Sequence, residues 1–416
     1  MTGNDSARPA NTLMQNQCIA RLKATAAEIT RVRGSGLVYQ DAERTLDLLQ
    51  QSIQVQSELV ADACTQTTLE EACAASLQVL SWVLPVLGMV VRSSNLRIAF
   101  ELYPPLKQLS NRLLADQSPV LLSSDWDYYP TTLLGLHCEL VVIGLPATES
   151  SNALLIPLAG HELGHHLWSK RHYARSLGSS VTSLLLQKIR NEYWQQFLSD
   201  WPGLAVANVS KTDLEQLPEY RQHVRRMADR VVRQLEEYFC DALALELFAE
   251  SYLHALRYLT LPGRTERVEH YPSMQSRVHW LRIRSNQRGI TVPEHFTDSF
   301  SMPLTVSAGL TLLDSLVEPI VPEVQQLAKS IVEGAKLPSR DHSCVERIAD
   351  KFASFAPQDD EQSLTDIINA GWLACSKYQS ESGVDPERWR EIMNQLTLKT
   401  CEISRFHQKT AQRSVT

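Results

Sequence analysis

The sequence predicts a mainly helical α+β protein, and three observations predict it. Apolar residues recur three or four apart through most of the 416 residues, and Gly (16) and Pro (19) are sparse. Short β-branched runs bounded by turn residues fall only between Pro119 and Pro146. A hydrophobic content of 44% is ample for one large domain or two to three ordinary ones. The pattern divides into a helical region over 1–118, a core carrying a small sheet over 119–290, and a second helical region over 291–416.

Residues 1 to about 17 read as disordered. From Gln17 to Val60 the pattern is helical, with Leu46, Leu49, Ile53 and Val60 at helical spacing and the GSG at 34–36 dividing two helices. Thr68 with Glu71 suggests a capping box ahead of an apolar helix over 74–91. An amphipathic helix over about 96–115 is interrupted by Pro104 and Pro105. VLLSS and ELVVIGLP read as strands, and the second could offer an edge to an extended peptide. ATESSN then supplies a turn and helix-capping residues. His172 to Pro218 is helical, then irregular around Trp201, Pro202 and Gly203, and a long helix is expected from about Glu219 to Leu259. Arginines 221, 225, 226, 230 and 233 line its polar side as a solvated face. Further amphipathic helices follow: one through Leu310 and Val317 ended by Pro319 and Pro322, one opened by Ser363, and one through Trp389 to Leu398. These read as packing elements able to cover a cleft or to engage a regulatory protein.

A net charge of −7 argues against a nucleic-acid binder. Eight scattered cysteines with no C-x-x-C pair fit a reduced, cytoplasmic setting. The beginning, MTGNDSARPANTLMQ, lacks a basic segment followed by an apolar one, so no signal peptide is expected. The most apolar run, Val79 to Val91, is shorter than the about 20 residues a bilayer span needs. It reads as a buried helical hairpin rather than a membrane span.

Chemistry concentrates in ALLIPLAGHELGHHLW, residues 153–168. His161 and His165, four apart, project from one helix face, so two neutral imidazoles can reach one divalent ion at about 2.0–2.1 Å. Glu162, one residue along, can take a proton from a metal-activated water, the logic of H-E-x-x-H. Pro157 suits a first turn, whereas Gly160 and Gly164 each cost about 1 kcal/mol in a helix interior, which implies close approach of another backbone.

Two histidines leave a catalytic zinc short of a ligand. EEYFCDALALELF, 236–248, places Glu237 and Asp241 four apart amid apolar residues. Two such carboxylates are expensive to bury without a compensating charge. A metal reading makes Glu237 the third ligand and Asp241 the acceptor of a ligating histidine's second N–H. The competing reading turns one carboxylate to solvent and pairs the other with Arg233.

H-E-x-x-H followed by E-x-x-x-D resembles the gluzincin metallopeptidases, most closely the branch of the CaaX prenyl proteases and the HtpX-type heat-shock protease. That branch also carries an element similar to H-P-[SP]-x-x-x-R-[IV], matched here by Tyr271, Pro272, Ser273, Arg277 and Val278. The likeness covers roughly 120–290. It implies a zincin-like metallopeptidase core, with Zn2+ held by His161, His165 and Glu237, Glu162 as general base and Asp241 behind His161. It also implies an oxyanion donor where this chain has Tyr271 in place of the family's histidine, with His270 one residue earlier and Arg277 in support. The expected activity is zinc-dependent hydrolysis of a protein or peptide substrate. The alternative is a catalytically silent zinc-bearing scaffold whose helical flanks bind a protein partner.

A metzincin is excluded, since the positions that would carry Gly and His hold Trp168 and Arg171. His166 points about 100° from His165 and reads as packing. Cys240 reads as a buried structural thiol facing away from the metal.

Overall fold

The computed structural model describes residues 7–94, 99–115, 117–125, 131–132, 140–200, 218–260, 270–300, 308–378 and 384–413. The irregular stretch expected around Trp201 lies outside them. Helix dominates, as the periodicity predicts. The chain forms two compact units, one of residues 1–100 with 117–151 and one of 101–116 with 152–416.

The first unit holds three long helices, α1 (Ala7–Arg33), α2 (Gln40–Ala61) and α3 (Gln66–Ser93), and a small sheet. The GSG turn separates α1 from α2 as expected, but α1 already begins at Ala7, so residues 7–17 are helical rather than disordered. The capping box of α3 uses Thr65 with Thr68, not Thr68 with Glu71: each threonine hydroxyl accepts from the other's backbone N–H. The Val79–Val91 run is no hairpin. It continues through Pro85 as one helix, the one described helix long and apolar enough by length and composition to cross a membrane.

In the sheet, β1 (Val120–Asp125) runs parallel to β3 (Val141–Pro146), and β2 (Thr131–Thr132) pairs antiparallel with β3. β3 is therefore central. The edge that ELVVIGLP was expected to offer a peptide is taken up by β1 and, at Ile143 and Gly144, by β2. Leu121, Leu140 and Val142 join the core of α1, α2 and α3. The sheet thus belongs to the N-terminal helices, not to a 119–290 core, because those helices supply the apolar cover its strands require.

The second unit begins with α4 (Tyr103–Leu114), whose first turn takes Pro104 and Pro105, where proline is tolerated. There follow α5 (Ile156–Lys170), α6 (Tyr173–Asn191), α7 (Trp194–Asp200), α8 (Pro218–Phe248), α9 (Glu250–Thr260) and α10 (Met274–Arg288). After these come α11 (Ala308–Val317), α12 (Val321–Gly334), α13 (His342–Ala353), α14 (Leu364–Ser376) and α15 (Pro386–Arg413). The single helix expected over 219–259 is two, because Ala249 adopts φ 50° and turns the chain between α8 and α9. Ser363 caps α14 through the backbone N–H of Asp366, as its sequence position suggested. Pro322 sits in the first turn of α12 rather than ending α11.

α8 is the axis of this unit and packs against α5, α6, α10, α11 and α12. The residues over 291–416 belong to the same unit as the motif helices. Asn369 of α14 accepts from Ser251 N at 2.9 Å and donates to Phe248 O at 2.9 Å, bridging the α8–α9 break. Trp372 donates its indole N–H to Leu154 O at 2.8 Å, and Asn394 accepts from Ala153 N at 2.8 Å. The C-terminal helices thereby fix both the approach to α5 and the end of α8.

Candidate metal centre

α5 and α8 cross at the motif, and glycines permit the crossing. A Cβ on Gly164 would stand 2.8 Å from Cys240 Cα, and one on Gly160 would stand 2.8 Å from the Phe248 ring. The cost of two glycines in a helix interior is offset by this close approach, as the sequence implied.

The crossing brings His161 and His165 to Glu237. His161 Nε2 lies 3.4 Å from Glu237 Oε2, and His165 Nε2 lies 3.6 Å from Glu237 Oε1. The other ring nitrogens face different carboxylates: His161 Nδ1 is 3.1 Å from Asp241 Oδ1, and His165 Nδ1 is 2.9 Å from Glu236 Oε1. Each imidazole is thus held from behind by an acid, leaving its Nε2 directed at Glu237. Asp241 stands behind His161, where the family likeness implied it would. Glu236 was overlooked. Its signal was its adjacency to Glu237 on the same apolar helix.

Neither carboxylate is solvent-facing, and Arg277 rather than Arg233 is the cation beside them. Arg277 donates Nε to Asp241 Oδ2 at 2.8 Å and Nη2 to Asp241 Oδ1 at 2.6 Å, and its Nη1 lies 3.3 Å from Glu237. This paired geometry commits the guanidinium to the two acids, so it is not free to support an oxyanion as expected. Tyr252, from α9 just past the Ala249 turn, donates its hydroxyl to Asp241 Oδ1 at 2.5 Å. The sequence held no signal for it, because a kink and not a continuous helix returns α9 to the site.

Tyr271 is 55% exposed at the start of the loop into α10, and His270 is also exposed. Partial burial and the negative charges on Glu237 and Glu162 push the Tyr271 phenol up, so it stays protonated and able to donate. Cys240 does not face away from the histidines as expected: its Sγ and ring nitrogens of His161 and His165 all lie within 4.8 Å of one another.

The electrostatics suit a cation. Burial works against a charged His161, but hydrogen bonds to Asp241 and Glu237 outweigh it and raise its pKa to about 10. His165 is raised against the same burial by its bond to Glu236. Burial alone would raise Glu237, yet His161 and Arg277 bring it down to about 2, and Arg277 likewise holds Asp241 well below the usual carboxylate range against its burial. Glu162 is raised by its own burial, which moves it towards the range of a working general base.

Four buried carboxylates (Glu162, Glu236, Glu237, Asp241) therefore surround two imidazoles and one guanidinium. With its imidazoles neutral, as metal ligands must be, the cluster would be short of positive charge, and a divalent ion would supply it. The donor spacing also fits: bonds of about 2.0–2.1 Å in a tetrahedron put donors about 3.3 Å apart, close to both Nε2–carboxylate distances. No protein-family model, curated protein or solved structure matches the chain.

Proposed function

We propose that this chain is a zinc metalloendopeptidase of gluzincin type, with His161, His165 and Glu237 as ligands. The observation that carries the reading is the convergence of both Nε2 atoms on one carboxylate, each imidazole backed by its own acid. Bound there, zinc supplies a Lewis acid that polarises a peptide carbonyl and lowers the pKa of the attacking water.

The protein's own groups do the rest. Glu162, buried beside the ligands and poised by that burial, accepts the proton of the attacking water and returns it to the leaving amine. Tyr271 offers a phenolic O–H to the oxygen that gains charge. Arg277 and Tyr252 hold Asp241, and Asp241 holds His161, so the ligand set is oriented before any substrate arrives.

The test joins metal analysis to cleavage. Purified protein should carry zinc in a one-to-one ratio and hydrolyse an unfolded protein or peptide library. Glu162→Gln should keep the zinc and lose hydrolysis by at least a thousandfold. A Glu162→Gln protein that cuts as fast as the native chain removes the mechanism.

A second reading has its own observation in Cys240, whose thiol beside both histidines offers a fourth protein ligand. A site closed by four side chains is structural, the zinc-bearing scaffold. Cobalt substitution separates the two. A strong thiolate-to-cobalt charge-transfer band, abolished by Cys240→Ser, favours the scaffold; its absence favours the open site.

A further inference from the structure

One face of α3 packs into the first unit's core through Cys73, Leu80, Val83, Leu87 and Val90. The opposite face is apolar as well. Leu77, Leu84 and Val91 are 48%, 52% and 52% exposed, and none of them belongs to the first unit's core among the described residues. They do not stand alone. Ala74, Ser81 and Gly88 alternate with them at spacings of three and four, so six positions form one heptad seam about 26 Å long, small residues at one repeat position and large at the other.

We infer that this seam binds the same seam of a second copy, with the two α3 helices antiparallel. The alternation selects both partner and direction. In an antiparallel pair, Ala74 faces Val91 of the second copy, Leu77 faces Gly88, and Ser81 faces Leu84. Every large side chain meets a small one, and the backbones approach closely. A parallel pair would set large on large and leave gaps at the small positions.

Charge selects the same register. Glu71 and Arg92 occupy the same flanking heptad position at opposite ends of the seam, so antiparallel pairing brings Glu71 beside Arg92 of the second copy, twice by symmetry. Parallel pairing would leave Glu71 and Arg92 at opposite ends of the seam, with no contact between them. Arg92 is placed for this: its Nη1 lies 3.2 Å from where a Cβ on Gly88 would sit, at the edge of the seam. Its partner within the chain, Asp125, is 3.6 Å away, too long for a hydrogen bond. A contact of this length is near the lower limit of specific interfaces, so a dimer dissociating at micromolar concentration is expected.

Sedimentation equilibrium of the full chain from about 1 to about 100 µM tests this. A reversible dimer is expected, and Leu84→Glu, at an exposed position, should weaken it at least tenfold while leaving far-UV circular dichroism unchanged. Ala74→Glu, on the same exposed stripe, serves as the second variant if Leu84→Glu misfolds. Glu71→Arg and Arg92→Glu should each weaken the dimer several-fold, and the double variant should restore it. A monomer across the whole range overturns the inference, as does a dimer indifferent to both seam variants or a double variant as weak as the singles. Monomeric protein that co-sediments with phosphatidylcholine vesicles through the same stripe also overturns it, since the face would then serve a lipid surface.

Discussion

Asp241 Oδ1 lies 3.1 Å from His161 Nδ1, and that contact decides which nitrogen of His161 is left for a metal. A carboxylate at Nδ1 holds a proton there, so Nε2, which faces Glu237, is the nitrogen a metal would take in place of its proton. Asp241 is itself held by Arg277 and Tyr252, so the imidazole cannot easily rotate. Asp241→Asn should therefore weaken zinc affinity by about 10–100-fold, measured by competition with a chromogenic chelator. Glu236→Gln should do the same through His165, which it holds at 2.9 Å. An unchanged affinity in both variants would show that the acids behind the histidines do not orient them.

Gly164 sets how closely α5 and α8 can approach. An added Cβ would meet the Cα of Cys240, a backbone atom that cannot swing aside. Gly164→Ala should destabilise the protein by about 1–3 kcal/mol in urea unfolding and reduce bound zinc, although alanine is the better helix former. If helix propensity governed this position instead, the variant would be more stable.

Asn369 holds the turn between α8 and α9, where Ala249 sits in the left-handed region. Asn369→Ala removes the partners of two buried backbone groups and should cost about 2–4 kcal/mol. Tyr252 follows that turn, so zinc affinity should fall as well. Stability lost with no change in zinc affinity would separate the turn from the site.

His254 stacks on Trp372 with ring centroids 5.2 Å apart and an interplanar angle of 13°. Burial, with a smaller effect from Arg257, lowers its pKa to about 4. The unfolded chain takes up this proton first as pH falls below about 6.5, so the stability present above that pH declines towards pH 4. The full effect is up to about 3 kcal/mol. His254→Phe keeps a stacked ring without the proton, so its urea-unfolding free energy should fall less than the native chain's between pH 7 and pH 4.5. Parallel pH curves for the two proteins would be the contrary result.

Much of the helical architecture was legible because it is periodic. His161 and His165, or Glu237 and Asp241, share a face by spacing alone, and Ser363 reads as opening a helix and does, accepting from Asp366 N. The GSG turn and the two main strands also lie where local chemistry puts them. Less visible were features set by partners distant in sequence. The sheet joined the N-terminal helices because their apolar faces covered it, and residues 7–17 are part of a helix whose later turns enter the core the three helices share.

The sequence by itself determined the inventory of the site: two imidazoles on one helix face, two acids on another, and the glycines that let a second helix approach. Spacing along a helix dictates which side chains point together, and the chain carries that information locally. Only the tertiary structure decided the assignments. Adjacent acids on α8 point about 100° apart, so the rotation of α8 against α5 settles that Glu237 meets both Nε2 atoms while Glu236 reaches the far side of His165. The turn at Ala249 brings Tyr252 back to Asp241, and the docking of α10 gives Arg277 to the acids rather than to an oxyanion. Those choices depend on how helices cross, which is governed by packing between residues distant in sequence rather than by periodicity within one helix.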